Sequence, residues 1–170
     1  MLDGISWTQF AKPVGHWLLR RLPGVLLARF YSVSNLREDI MIILDSAEPL
    51  KVHLPKKWQA PSLCFWARVL NASPYLDIRV KRVSVGLSAG PGELEERFAD
   101  VSDWDEFDLP RGESRLCMFV GWLNQFQTDI VRECQENRIS VTAYVFVCAE
   151  SPLGEIVTWK PFRRINLVVH

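Results

Sequence analysis

The sequence lacks several features that define common protein classes. It has no run of 18 uncharged apolar residues, which excludes a membrane-spanning helix. It has no net charge, because 20 basic residues balance 20 acidic ones, so the positive field used in non-specific nucleic-acid binding is missing. It also has no nucleophile elbow, P-loop or dinucleotide fingerprint. We therefore expect a protein without enzymatic activity and without a nucleic-acid partner.

Metal-ligand spacings are absent as well. A zinc site needs three or four nitrogen or sulfur ligands close together. The three histidines are far from one another and from the cysteines in the sequence: His16, His53 and His170. The four cysteines form no CxxC pair: Cys64, Cys117, Cys134 and Cys148. The cysteines lie in apolar runs or on a helical stripe, which favours free thiols in a cytosolic protein over disulfides. We expect no metal and no cofactor.

What the sequence does have is a globular composition with separated charges. Its 170 residues are 48% hydrophobic and 24% charged, enough for one domain with a sizeable core and an appendage. Residues 1–31 carry four basic side chains against Asp3 alone, whereas residues 92–108 carry eight acidic ones against Arg97 alone. Residues 1–31 are also unusually apolar, so this basic stretch and the acidic stretch are predicted to bind different partners.

The N-terminal residues 1–37, which include this basic stretch, are predicted to be an attachment segment of short amphipathic helices. Pro13 and Pro23 suit the first turns of two helices. Indoles and leucines beside cations fit an anionic membrane interface. The side chains predicted to bind a membrane or partner are Trp7, Phe10, Lys12, Trp17, Leu18, Arg20, Arg21, Leu22, Leu26, Arg29 and Phe30.

Three alternatives remain open for this segment. It could fold back on the rest of the chain, mediate homo-oligomerisation through residues 5–31, or bind another protein. Its apolar stretch is broken by Arg20, Arg21 and two prolines, which does not fit a signal peptide. We expect a cytoplasmic protein, peripheral on the inner face of the cell membrane.

Residues 38–170 change from helical to alternating apolar periodicity. About seven strands, one inserted helix and frequent turns predict a mainly β, immunoglobulin- or fibronectin-like two-sheet sandwich. Ser114–Trp122 alternates, which predicts a strand with Leu116, Met118, Val120 and Trp122 on one face. In the helix, Leu123–Asn137, an apolar stripe is predicted to include Phe126. The apolar phase shifts by one after Lys81-Arg82, which predicts a β-bulge. The charged run 93–101 is predicted to be an edge strand.

An acidic loop is predicted at residues 102–110, following the edge strand. The candidate docking residues for a basic partner are Asp100, Asp103, Asp105, Glu106 and Asp108. A weak cation site and acid–base catalysis by paired carboxylates are the alternatives. No EF-hand glycine or closing glutamate supports calcium binding.

Five tryptophans fall in or beside the predicted strands: Trp58, Trp66, Trp104, Trp122 and Trp159. We expect them to pack in the core and sheets. A sugar-binding platform is the functional alternative, since indole faces stack on apolar sugar faces.

One stretch carries a family resemblance. Residues 69–85, Val-Leu-Asn-Ala-Ser-Pro-Tyr-Leu-Asp-Ile-Arg-Val-Lys-Arg-Val-Ser-Val, resemble the water-stress/late-embryogenesis-abundant type 2 domain, in which a strand ends in an Asn- and Pro-containing turn before the next strand. The chain also resembles small uncharacterised bacterial proteins with an amphipathic N-terminal segment. The resemblance implies a sandwich over residues 38–170, membrane anchoring in many relatives, and no catalytic residues.

Overall fold

The computed structural model describes residues 26, 29–45, 50–54, 60–90, 97–103 and 106–169. These residues form two helices and ten strands, arranged in two five-stranded sheets. The predicted mainly β two-sheet sandwich is confirmed. The ten strands exceed the roughly seven predicted, and one of the additional strands, Phe107–Leu109, lies in the predicted acidic loop.

The first sheet is built around one long strand, β3 (Ser62–Asn71). On one side β3 pairs along its length with β7 (Ser114–Trp122), antiparallel. On the other side it pairs with β1 (Ile40–Leu44) and then β2 (Leu50–His53). The two-residue β10 (Val168–Val169) adds to β2 in parallel. β7 therefore lies at one margin of this sheet, with β1 and β10 at the other.

The second sheet has the same plan around β4 (Ile78–Ala89). One side of β4 pairs with β8 (Val141–Ser151), which pairs with β9 (Gly154–Ile165). The other side pairs with β5 (Arg97–Asp103) and with β6 (Phe107–Leu109). The predicted charged edge strand is thus confirmed over Arg97–Asp103, and residues 93–96 of the predicted range lie outside the described residues.

The predicted phase shift in β4 is confirmed as a register irregularity. The pairing of β4 with β8 shifts between Val80 and Arg82. Ile78 and Val80 are buried before it, and Val83 and Val85 are buried after it. One extra residue returns the apolar side chains to the core, as expected for a β-bulge.

The core lies between the two sheets and consists of alternate residues from the long strands. Its largest fully buried side chains, Phe65 and Phe119, face each other across β3 and β7, with ring centroids 6.1 Å apart. Gly121 permits close approach of β7 to β5, since an added Cβ would lie 2.7 Å from Cγ2 of Val101. At the opposite margin Lys160 Nζ donates to the carbonyl of Ile42 at 3.1 Å, linking β9 to β1.

Two helices close the sandwich. α1 (Val33–Asp39), capped by Ser32, buries Leu36 completely. α2 (Gln125–Glu136), capped by Asn124, buries Val131 and Cys134. The prediction of α2 is confirmed, but its predicted stripe is wrong at Phe126, which is 70% exposed. The boundary between segment and sandwich at residue 37 remains a prediction, while Tyr31 and Leu36 join the core.

Candidate interaction surfaces

Within the predicted attachment segment, the chain changes from exposed to buried between two adjacent residues. Phe30 is 70% exposed, and Leu26 and Arg29 are also exposed. Tyr31, by contrast, is buried. The other predicted membrane- or partner-binding residues lie outside the described part of the chain: Trp7, Phe10, Lys12, Trp17, Leu18, Arg20, Arg21 and Leu22.

Tyr31 attaches this segment to the sandwich. Its hydroxyl donates to Oδ2 of Asp39 and lies 3.1 Å from Oγ of Ser73. Its ring meets Tyr75 edge-on, with centroids 5.1 Å apart. Burial, and then the hydrogen bond to the Asp39 carboxylate, raise the pKa of the Tyr31 hydroxyl above its ordinary value. Tyr31 is therefore held against the sandwich by Asp39, Ser73 and Tyr75.

The turn that receives Tyr31 is organised by one buried side chain, Asn71. Its amide nitrogen donates to the carbonyls of Leu76 at 2.9 Å and Leu109 at 3.0 Å. Its amide oxygen accepts from the backbone N–H of Ser73 at 3.1 Å. This amide joins the end of β3 to the start of β4 and the end of β6, so it fixes one end of the sandwich.

The outer face of the first sheet is the largest departure from the expected distribution of apolar residues. Alternation along β7 places Leu116, Met118, Val120 and Trp122 on one face, as predicted, but all four are exposed, with Trp122 at 72%. Exposed side chains of β1 extend the row across β3. We call this surface the apolar face; its exposed members are Met41, Ile43, Leu116, Met118, Val120 and Trp122.

Half-buried side chains of β3 fill the centre of the apolar face. Trp66 stands opposite Met118, and Cys64 stands opposite Val120. Lys51 Nζ lies 5.8 Å from the centroid of the Trp66 ring. A depression of 540 Å³ at the Trp122 end includes His53 in its lining. The apolar face therefore spans three strands, with Arg68 of β3 between Ile43 and Leu116.

The sequence of β7 carries a sign of this face. Both sets of alternating residues in β7 are apolar, with Cys117 and Phe119 buried on the inner side. A strand that is apolar on both faces is either covered on both or exposes one. Alternation alone does not distinguish these two cases.

The prediction of an acidic loop is wrong. Asp100 and Asp103 belong to β5, and Asp108 belongs to β6, while Glu106 precedes β6; Asp105 is outside the described residues. Apolar residues explain the error, because Phe107 and Leu109 are buried and hold β6 against β4.

The carboxylates of these strands face cations. Arg79 lies 3.1 Å from Glu106 and 4.0 Å from Asp108, and Asp100 is 3.1 Å from Arg97. Exposed ion pairs of this kind contribute little to stability. Among the residues described, no group of three metal-ligating side chains could hold an ion. The pairs give the outer face of the second sheet a mixed charge instead of a carboxylate cluster.

The tryptophans are more exposed than predicted. Trp66 is half-buried, whereas Trp122 and Trp159 are exposed on different sheets; Trp58 and Trp104 lie outside the described residues. Trp159 packs near Tyr144 and Phe146. Because Trp122 and Trp159 lie on opposite sheets, they do not form one sugar-binding platform.

All four cysteines are free thiols, of which Cys117 and Cys134 are buried. Cys148, on the outer face of the second sheet, lies 3.3 Å from the Glu155 carboxylate. Burial, followed by the hydrogen bond to Glu155, raises the pKa of the Cys148 thiol. The thiol is thus less reactive than its partial exposure would imply.

This pKa shift has a consequence for alkylation. A negative carboxylate favours the protonated thiol, so Glu155→Gln is expected to lower the pKa of Cys148 and increase its thiolate fraction. Iodoacetamide should then modify Cys148 faster at pH 8, as followed by peptide mass spectrometry. Cys64 in the same sample serves as the internal control, since its rate should not change. An unchanged or slower rate at Cys148 would contradict the role of Glu155.

No helix in the described ranges is both long and apolar enough to cross a membrane.

The fold defines the class of this protein: a mainly β protein with two packed five-stranded sheets and two helices. No family model matches the sequence, and no curated protein matches it. Solved structures with a similar fold exist, at low sequence identity.

Three of these structures illustrate the similarity. A Northeast Structural Genomics Consortium target, SoR45, is 10% identical, with a TM-score of 0.49 over 75% of this chain and 87% of its own. The sporulation control protein Spo0M from Bacillus subtilis is 11% identical, with a TM-score of 0.42 over 78% of this chain and 49% of its own. The putative ApaA protein from Bordetella pertussis is 13% identical, with a TM-score of 0.41 over 76% and 91%.

Proposed function

We propose that this protein is a non-enzymatic, peripheral membrane-attached interaction module at the cytoplasmic side of the membrane. Residues before Tyr31 dock on an anionic membrane surface, and the sandwich presents a binding face to partners. The observation that carries the proposal is the change at residues 30 and 31: Phe30 is 70% exposed, whereas Tyr31 is buried and bonded to the sandwich. A segment held at this point keeps the sandwich close to whatever surface the segment binds.

The composition of the segment supports a membrane as that surface. Each large apolar side chain that enters the acyl boundary contributes about 1.5–3 kcal/mol. Each cation near anionic headgroups contributes about 1 kcal/mol. The apolar contribution is therefore the larger one, so binding should weaken with added salt but survive moderate ionic strength.

The buried Asn71 supports the resemblance to the late-embryogenesis-abundant type 2 domain. In that family the corresponding turn joins two strands, and here Asn71 and Ser73 hold the turn through hydrogen bonds. We include membership of this family in the proposal, together with the membrane attachment it implies.

The matched pair Phe30 and Phe126 tests the membrane contact in the full chain. Both side chains are 70% exposed, but only Phe30 belongs to the attachment segment. Phe30→Asp is expected to weaken co-sedimentation with phosphatidylserine-containing vesicles by about tenfold or more, because an apolar contact is replaced by a charge that headgroups repel. Phe126→Asp should leave the affinity within about twofold of the unmodified protein.

Three further substitutions examine the segment itself. Trp17→Asp, Leu18→Asp and Leu22→Asp together should abolish vesicle binding, since they remove apolar side chains and add like charge. Unchanged binding in this triple variant would refute the proposal. A different outcome would support an inter-chain contact through residues 5–31. In that case the unmodified protein would not bind vesicles, and the triple variant would have a lower assembly mass in solution than the unmodified protein.

A further inference from the structure

The apolar face is exposed on the first sheet, far more than an isolated soluble sandwich requires. It presents Leu116, Met118, Val120 and Trp122 in one row on β7. Contiguous exposed apolar surface of this kind marks an interaction site, whereas scattered apolar residues do not. The question is which partner covers it.

Charge separates the two outer faces of the sandwich. Outward-facing strand positions of the first sheet, within the ranges the structure covers, carry Lys51 and Arg68 and no carboxylate. Asp45, which follows β1, pairs with Arg68 at 2.6 Å. The outer face of the second sheet, in contrast, carries both signs of charge, because Arg79, Lys81 and Arg97 pair with carboxylates there. An anionic surface would therefore meet cations without strand carboxylates on the first face and a mixed charge on the other.

The apolar face is of modest extent, since β7 has nine residues and β1 has five. Three strands of nine residues would have a flat footprint of about 430 Å², at about 3.3 Å per residue and 4.8 Å per strand. Insertion into a bilayer surface requires no partner surface of matching shape, so we take a bilayer as the occupant and a second copy as an outcome of the test.

Charge argues against residues 5–25 of the same chain as the occupant. That segment carries Lys12, Arg20 and Arg21 and no carboxylate. Packing it on a face that already carries Lys51 and Arg68 would bring like charges together.

We propose that the apolar face is a second membrane-contact surface, which rests on an anionic bilayer with Trp122 and Met118 among the lipids and Lys51 near the headgroups. The inference rests on the proposed function, since residues before Tyr31 would bind the same membrane. It adds an orientation: the first sheet faces the bilayer, and the second sheet, with its paired carboxylates, faces the cytoplasm and its partners.

Val120 and Val157 provide a matched test. Val120 is 50% exposed on β7, and Val157 is 51% exposed on β9 of the opposite sheet. In the full chain, Val120→Asp is expected to weaken binding to vesicles containing phosphatidylserine by about tenfold or more, because it removes an apolar contact and adds a charge that anionic lipid repels. Val157→Asp should change binding by less than about twofold. Trp122→Ala, at a 72% exposed position, should weaken binding in the same direction without adding charge.

Circular dichroism and thermal melting would establish that each variant is folded. If Val120→Asp is not folded, the vesicle-binding test relies on Trp122→Ala. Equal loss in the Val120 and Val157 variants would overturn the inference. Stronger vesicle binding by Val120→Asp would also overturn the inference. It would mean that a segment of the chain covers the apolar face in the unmodified protein and is released by the aspartate. A mass that halves in Val120→Asp would assign the face to a second copy.

The Phe30 variant separates this inference from the proposed function. If Phe30→Asp loses vesicle binding but Val120→Asp and Trp122→Ala keep it, the attachment segment is the membrane contact and the apolar face is not. If the unmodified protein does not bind anionic vesicles, both proposals fail.

Discussion

Replacement of Asn71 by alanine is expected to lower the free energy of unfolding by about 4 kcal/mol, as several buried hydrogen bonds are lost together. The side chain is fully buried and satisfies the carbonyls of Leu76 and Leu109 and the N–H of Ser73. Each buried polar group left without a partner costs about 1–3 kcal/mol. A loss of this size is a large fraction of the stability of a small domain.

Urea denaturation followed by circular dichroism would measure this loss. Asn166→Ala, at an exposed position, is the matched control and should change the free energy of unfolding by less than about 0.5 kcal/mol. If Asn71→Ala lost less than about 1 kcal/mol, the turn would be held by other contacts. Because the turn receives Tyr31, a destabilised turn should also loosen the attachment point of the N-terminal segment.

Truncation of Phe119 to alanine is expected to lower the free energy of unfolding by a similar amount, about 4 kcal/mol. Phe119 is 1% exposed and packs against Phe65 at the centre of the first sheet. Its removal loses apolar burial and leaves a cavity that rigid neighbouring strands do not fill completely. Both contributions act in the same direction.

The adjacent residue provides the control. Met118 lies on the same strand but points outward and is 55% exposed, so Met118→Ala should cost less than about 1 kcal/mol. The two variants together test the assignment of faces along β7. Equal losses of stability would mean that the outer face is also packed against protein, which would contradict an exposed apolar face.

These two pairs of variants also guide the membrane experiments. Asn71 and Phe119 stabilise the sandwich from inside, and Phe30, Val120 and Trp122 contribute apolar surface outside. Substitutions of the outer residues should therefore change vesicle binding with little effect on the thermal midpoint. This separation allows a loss of binding to be interpreted as a loss of contact.

The sequence by itself determined the fold class and several local features. Alternation in β7 identified that strand, because a two-residue period reports directly which side chains share a face. The phase shift after Lys81-Arg82 correctly placed the irregularity in β4. The helical period over Leu123–Asn137 predicted α2.

Only the tertiary structure decided which faces are covered. The short β6 was predicted as loop, because three residues with a charged centre carry no periodicity, and its pairing with β4 is a long-range contact. Phe126 was predicted on the buried stripe, yet α2 meets the sandwich through other residues. The row on β7 was predicted correctly as one face, but periodicity is a local property, whereas burial depends on which distant strand packs against that face. The exposed apolar face and the paired carboxylates of the opposite sheet therefore came from the packing of the two sheets.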